Sequence, residues 1–181
     1  MTEPRCIQLS PLWLVLGLAF PLAGRAADPS PIEPVAVKTV PETLFLCLSR
    51  DVLPGQIAAF VKEGSAKLRQ TIDVARLEAT GPLQYTGPSW AGEGKVSTYI
   101  LAVPVKERKP VPPGVTWADV PSHKVASIRV HVPPATVAKG WEQLDAGVAA
   151  MGLKEGPRWT EVQVAPDGSL VEIQSDLAEA P

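Results

Sequence analysis

Cysteine, histidine and basic charge are all scarce in this chain, and each shortage excludes a class of function. The 181 residues include 2 cysteines and 2 histidines, and neither His123 nor His131 has a Cys, Asp or Glu at metal-ligand spacing. The sequence therefore predicts no metal site. Lys and Arg number 17 against 19 Asp and Glu, without a basic cluster, so nucleic acid is not an expected partner. Phosphate-binding loops, nucleophile motifs and Ser/His/Asp arrangements are also missing.

A long hydrophobic run is missing as well, but a short one lies near the N-terminus. Residues 12–23 form an apolar stretch that is too short to span a bilayer and is typical of the core of a signal peptide. Arg5 precedes it with a positive charge, and the small residues that follow favour cleavage after Ala26. We predict a signal peptide over 1–26 and export to the periplasm or the extracellular space. An uncleaved anchor or a wrongly assigned start codon is the alternative.

The two cysteines fit an exported chain without a disulfide. Cys6 leaves with the signal peptide, and it precedes the apolar run, so it is not a lipoprotein acceptor. Cys47 is then alone, and no intramolecular disulfide can form. Its apolar neighbours in LFLCLS predict a small buried side chain rather than a nucleophile.

The 20 prolines mark boundaries, because they lie at the junctions between apolar segments. A Pro-rich linker is predicted over 27–34 and one folded domain over 35–178. A second Pro-rich connection, over 106–122, divides the domain into two halves.

Each half shows the same order of elements. Apolar side chains at three- and four-residue spacing predict one helix per half, and β-branched or alternating segments predict the strands. In the first half these are one extended run over 35–48 that Pro41-Glu42 interrupts, a helix over 57–72, and strands over 83–85 and 96–105. In the second half they are a strand over 124–132, a helix over 136–151, and strands over 158–164 and 170–174.

The order is therefore β-α-β-β, connection, β-α-β-β, with a Gly-Pro pair after each helix at Gly81 and Gly156. Two such units, each too small to bury its own sheet face, can pair about a pseudo-twofold axis and share one core. The predicted fold class is α+β: two βαββ repeats in a pseudo-twofold arrangement, with an antiparallel sheet and two main helices. A groove is expected between the halves.

This order of segments resembles the GyrI-like small-molecule-binding domain, the family of gyrase-inhibitor-type proteins and of effector-binding domains of multidrug-responsive transcription regulators. The resemblance covers about residues 35–178 and rests on VAVKTVPETLFLCLS, YILAVPV, KVASIRVHVPP, TEVQV and VEIQ. It implies the fold above and a small-molecule ligand. The haem-associated SOUL proteins are similar in architecture, but no pattern around the histidines supports haem ligation, and no cofactor is expected.

The family carries a glutamate on the strand after the second helix, in a pattern similar to Tyr-Glu-Ile-Tyr. Glu161 matches that glutamate, and Gln163 replaces the family's second tyrosine. Strand alternation independently places Trp159, Glu161 and Gln163 on one face. A carboxylate beside an indole suits an organic cation, through charge attraction and cation–π contact. An ordinary polar outer face would show the same alternation, so both interpretations stay open at this point.

Other aromatic residues are weaker candidates for the groove. Tyr85, Trp90 and Tyr99 come from the first half and Trp141 from the second helix, and core packing is the more frequent role of such residues. Glu172, in the last strand, is expected to be structural.

Together these patterns predict an exported protein that holds an amphipathic ligand in a groove between two βαββ halves. The negative charge of Glu161 would favour a cationic ligand. A hydrolase of reactive small molecules, with Glu161 as general base, is one alternative. An envelope interaction module without a ligand is the other. No DNA-binding segment is expected before the domain, and no membrane contact after signal cleavage. The ligand's identity and the oligomeric state stay open.

Overall fold

The computed structural model describes residues 30–88, 95–133 and 135–178. The predicted signal peptide and Trp90 lie outside them. The described elements are β1 (Ala36–Val40), β2 (Thr43–Val52), α1 (Ile57–Ala75), β3 (Gln84–Pro88), β4 (Ser97–Pro104), β5 (Thr116–Val120), β6 (His123–His131), α2 (Val137–Ala150), β7 (Glu155–Gln163) and β8 (Leu170–Leu177). Among the helices in these ranges, none has the length and apolar character needed to span a bilayer.

The strands form one antiparallel sheet in the order β1-β6-β8-β7-β3-β4-β2-β5. Exchanging the first-half strands β1 to β4 for β5 to β8 reverses this order, so the sheet has a pseudo-twofold axis between β3 and β7. At that axis Thr86 lies opposite Thr160, and their hydroxyl oxygens are 3.0 Å apart in a hydrogen bond. The predicted α+β class, the antiparallel sheet and the paired repeats are confirmed.

One strand, β5, was not predicted. Thr116–Val120 falls inside the segment that proline content assigned to a connection, and it pairs with β2 at one edge of the sheet. β1 likewise pairs with β6 of the other half at the opposite edge. An edge strand is hydrogen bonded on one side only and tolerates nearby prolines, so a long apolar run does not mark it. Each half therefore lends one strand to the other.

Both helices pack on the same face of the sheet, and each has one large residue and one glycine in its contact with the sheet, in opposite order along the helix. The fourth and eighth residues are Phe60 and Gly64 in α1, but Gly140 and Leu144 in α2. Phe60 is 1% exposed and Leu144 is fully buried. A Cβ on Gly64 would lie 2.4 Å from Leu101 Cδ1, and one on Gly140 would lie 2.4 Å from Val130 Cγ2. Each helix is therefore held against the sheet by one large buried side chain and by one close approach of its backbone at a glycine.

The opposite face carries Glu172 in a network of ion pairs and hydrogen bonds. Its carboxylate is buried, forms an ion pair with Lys38, and accepts hydrogen bonds from Arg129 Nε at 3.4 Å and Gln174 Nε2 at 2.8 Å. Burial alone would raise the pKa of Glu172, but these hydrogen bonds and the charge of Lys38 hold it below the usual value. The expected structural role of Glu172 fits this arrangement. Cys47 lies on the same face and is buried, as predicted.

Candidate functional site

A single row of cross-strand neighbours crosses the helix-covered face of the sheet through its centre. The row runs Ile128, Ile173, Glu161, Tyr85, Leu101, Leu48. Its four outer members are aliphatic and buried in the two helix-packed cores. The two central members are polar, and they lie where the halves meet. Glu161 is therefore not on a polar outer face, because its strand positions it among core residues.

The carboxylate of Glu161 lies against α2. Trp141, in the first turns of that helix, donates a hydrogen bond from Nε1 to Glu161 Oε1 at 3.1 Å. Partial burial raises the pKa of Glu161 above its ordinary value of 4.5, and the indole hydrogen bond opposes that rise. One neutral donor therefore holds the carboxylate in place, but it does not fully offset the desolvation cost of the negative charge.

Four aromatic rings form one connected cluster that includes two neighbours of Glu161, Trp141 and Tyr85. The Tyr85 and Tyr99 rings stack with centroids 5.4 Å apart, and Trp159 meets the edge of Tyr85 at 5.1 Å. Trp141 continues the cluster, with its centroid 5.4 Å from that of Trp159 in an edge arrangement. Such geometries are the favoured ones for aromatic pairs.

Gly87 makes room for this cluster. It lies opposite Trp159 in the β3–β7 pairing, and a Cβ there would lie 2.6 Å from Trp159 Cζ2 and 2.8 Å from Tyr99 Cε1. Any larger residue would push one ring away. The ring positions therefore depend on a glycine at this point of β3.

The hydroxyl of Tyr85 is buried and has no hydrogen-bond partner among the described residues. Burial raises the pKa of Tyr85, and the nearby Tyr99 and Glu161 raise it further, so the phenol stays protonated. A buried hydroxyl without a partner costs about 1–3 kcal/mol. Buried hydroxyls are nearly always hydrogen bonded, so Tyr85 is an exception at the centre of the sheet.

A cavity of about 340 Å³ opens beside this cluster, between α2 and strands β7 and β8. It is lined by Trp141, Asp145, Glu155, Trp159, Glu161 and Ser175. Sequence patterns did not indicate Asp145, Glu155 and Ser175 as lining residues. The one available indication was helical spacing, because Asp145 lies four residues after Trp141 and so on the same side of α2.

Of the six residues proposed from the sequence, the structure brings five together: Tyr85, Tyr99, Trp141, Trp159 and Glu161. Tyr99 is 4% exposed and supports the cluster from within the core. The sixth, Gln163, continues the same face of β7 but lines a different cavity of about 370 Å³, with Ile72, Leu83 and Val103. Trp90 falls in the segment 89–94, outside the described residues.

Within the three described ranges, no group of three or more His, Cys, Asp and Glu side chains is arranged to hold a metal ion. His123 and His131 lie near carboxylates instead, 3.7 Å from Asp176 and 3.6 Å from Glu33. Burial raises the pKa of Cys47 to about 11, which keeps its thiol protonated at neutral pH. None of these groups adds chemistry to the cavity at Glu161.

Comparison with known proteins identifies relatives of the fold alone. No family model matches the sequence, and no curated protein matches it. The solved structures that resemble it include the EcmrR C-terminal domain, with a TM-score of 0.66 at 13% identity over 81% of this chain and 98% of that one. SAV2435 bound to tetraphenylphosphonium gives a TM-score of 0.56 at 14% identity, over 81% and 94% of the two chains.

A hydrolase from Listeria innocua, encoded by lin2189, gives a TM-score of 0.58 at 9% identity, over 83% of this chain and 94% of that one. At such identities the similarity establishes a shared architecture and no shared activity. That architecture is consistent with the GyrI-like effector-binding domain that the sequence resembles.

Proposed function

We propose that this domain binds an amphipathic organic cation, with Glu161 as the counter-charge and Trp141 and Trp159 as the aromatic walls. One observation carries the proposal: Glu161 is partly buried and forms no ion pair with any Lys, Arg or His of the described residues. Glu172, which is buried on the opposite face of the sheet, has both Lys38 and Arg129. A ligand cation would give Glu161 the positive partner that Lys38 and Arg129 give Glu172.

The surroundings of Glu161 favour an organic cation over a small hydrated one. A cation over an indole face gains about 0.5–1 kcal/mol when exposed and about 2 kcal/mol when desolvated. The indoles of Trp141 and Trp159 also bury apolar surface of the ligand, which contributes about 25 cal/mol per Å². Charge attraction to Glu161 is strengthened because the carboxylate is partly buried and so partly desolvated.

The binding proposal is supported by the architecture it shares with SAV2435, whose structure holds tetraphenylphosphonium, a lipophilic cation. That cation is a suitable first probe. We expect tetraphenylphosphonium and benzyl-quaternary ammonium ions to raise the melting temperature and to quench tryptophan fluorescence. Neutral aromatic compounds of similar size should have much smaller effects. Absence of any effect across such a panel would favour an interaction module without a ligand.

A hydrolase is the second candidate, because burial raises the pKa of Glu161 toward the range in which a carboxylate works as a general base. The Trp141 indole already orients one oxygen of Glu161, so the other oxygen is left to activate water. Incubation with electrophilic esters and epoxides, followed by mass spectrometry, separates the two functions. Product formation that depends on Glu161 would establish the hydrolase, and unchanged substrate over hours would exclude it.

Export is proposed on the sequence alone, since residues 1–26 lie outside the described part of the chain. Expression in a Gram-negative host should yield a mature protein that begins at Ala27 and is released with the periplasmic fraction. N-terminal sequencing tests this directly. A mature N-terminus at Met1 in the cytosol would remove the proposal and would again allow cytoplasmic partners.

A further inference from the structure

The cavity beside Glu161 contains more negative charge than one cation would neutralise. Asp145 and Glu155 line it together with Glu161, and no Lys, Arg or His is among the lining residues. None of these three carboxyls forms an ion pair within the described ranges. We propose that the ligand is an organic dication, with one positive centre at Glu161 and the second at the Asp145–Glu155 pair. This rests on the function proposed above and specifies its ligand class.

The two carboxyls of the pair come from different elements and converge at the mouth of the cavity. Asp145 is on α2, one turn beyond Trp141, and Glu155 is the first residue of β7. Both side chains line the cavity, and both residues are exposed. Glu161 lies deeper, against Trp141 and beside the aromatic cluster. The cavity therefore has a partly buried negative position at Glu161 and an exposed one at Asp145 and Glu155.

Two ionised carboxylates that line one cavity repel each other, and a cation between them offsets that repulsion. Partial desolvation and the charge of Asp145 raise the pKa of Glu155, as expected of such neighbours. An exposed site with two carboxylates gains from a cation mainly when the ligand is already held elsewhere, because the second contact is then intramolecular.

The distance between the two positions limits the ligand's length. Trp141 and Asp145 are four residues apart on α2, a rise of about 6 Å. Glu161 and Glu155 pair with Ile173 and Leu177, four residues apart on β8, which corresponds to about 13 Å. A ligand whose positive centres are about 6–13 Å apart therefore fits, and a chain of about six methylene groups falls within that range. The aliphatic spacer would lie on the indoles of Trp141 and Trp159, which also line the cavity. Linear bis-quaternary ammonium ions and long diamines have this form.

The alternative partner for an acidic cavity is a divalent metal ion, which the geometry does not favour. Metal binding by carboxylates needs several oxygen ligands at 2.0–2.6 Å from one point. The carboxyls here are divided between two positions, and the described residues include no metal-binding group of three or more. Magnesium therefore serves as a control for simple charge screening.

The experiment compares 1,6-bis(trimethylammonium)hexane with hexyltrimethylammonium by isothermal titration calorimetry on the mature protein. We expect the dication to bind about tenfold more tightly, since each added carboxylate contact in water contributes a modest attraction. In the double variant D145N/E155Q the ratio of the two affinities should fall to about one. The matched control, Glu142→Gln, removes a charge from the same helix outside the cavity lining and should keep the ratio near ten.

Each outcome bears on the proposal. Equal affinities for the two probes, an equal fall in the ratio for Glu142→Gln, or equal competition by magnesium would overturn it. If the monocation still binds and loses its affinity in Glu161→Gln, the proposed function stands while the dication proposal falls. If neither probe depends on Glu161, both fall. Thermal unfolding of the double variant checks its fold, and exposed carboxyls at a like-charged site should be replaced without loss of stability.

Discussion

Glu161→Gln is expected to lower the affinity for organic cations by about thirtyfold or more while raising the melting temperature of the ligand-free protein at neutral pH. Loss of one partner from a desolvated charge pair costs about 2–5 kcal/mol of binding free energy. The ligand-free protein gains because glutamine keeps the acceptor for Trp141 Nε1 and removes a carboxylate whose charge is disfavoured by burial. Calorimetric titration and thermal unfolding measure the two effects on the same samples.

The pH dependence of the melting temperature gives this prediction a definite sign. The folded-state pKa of Glu161 lies above its unfolded value of about 4.5, so the folded protein binds the proton more tightly. The stability cost of Glu161 is therefore absent below that unfolded value and complete above the folded pKa. The melting-temperature difference between variant and wild type should vanish at low pH and reach its maximum at neutral pH. Cation affinity of the wild type should rise over the same interval.

Glu142→Gln is the control for the loss of one negative charge, because Glu142 is exposed on α2 outside the cavity lining. It should change neither the affinity nor the pH profile. A Glu161→Gln protein that is less stable than wild type at neutral pH would show that Glu161 stabilises the fold rather than the ligand complex. Unchanged cation affinity would remove Glu161 from the site.

Phe60→Ala is expected to lower the free energy of unfolding by about 3–5 kcal/mol and to do so for both halves together. Phe60 is 1% exposed and packs in the core of the first half, against the sheet under α1. The halves cannot unfold separately, because β1 is hydrogen bonded to β6, β5 to β2, and β3 to β7. Denaturant unfolding measures the free energy, and hydrogen exchange resolves it by strand.

Hydrogen exchange reports the free energy of the opening that exposes each amide. For the slowest-exchanging amides of β6 and β8, in the second half, this free energy should fall by the same amount as for those of β2. Val74→Ala is the control on α1, since Val74 is 77% exposed and its truncation should change stability by no more than about 0.5 kcal/mol. Exchange in β6 and β8 that is unaffected by Phe60→Ala would mean that the halves are independent units, in contradiction to the shared sheet.

Local periodicity was sufficient to predict most of the fold. The helix stripes through Phe60 and Leu144 and the alternation of 124–132 are set by neighbours in the sequence, and they predicted both helices and the pairing of two repeats. The pairing of β1 with β6 of the second half, and of β5 with β2 of the first half, was not predictable in this way. Which sheet edge a short strand joins depends on residues far away in the chain, such as Ser127 opposite Ala36. Proline content then concealed β5 within a connection.

The site residues that lie on one strand were predictable from the sequence. Those that reach the cavity from different elements were not. Alternation along β7 placed Trp159 and Glu161 together, and the structure adds the Tyr85 and Trp141 contacts. Alternation alone cannot show that Gln163, two residues further, lines a different cavity past the end of the aromatic cluster. Glu155 was missed because the other residues of its cavity, such as Asp145, are on other elements, and only the tertiary fold brings them to one cavity.

The most direct test of the central claim is a crystal structure of the protein with tetraphenylphosphonium bound. We expect the phosphonium centre beside the Glu161 carboxylate, with phenyl groups packed on Trp141 and Trp159. A second concavity, on the opposite face of the sheet, is lined in part by Phe45, Cys47 and Ile100, and the carboxylate that lines it, Asp176, already forms an ion pair with Arg158 at 3.2 Å. A cation bound there, with the cavity at Glu161 unchanged, would contradict the proposed site.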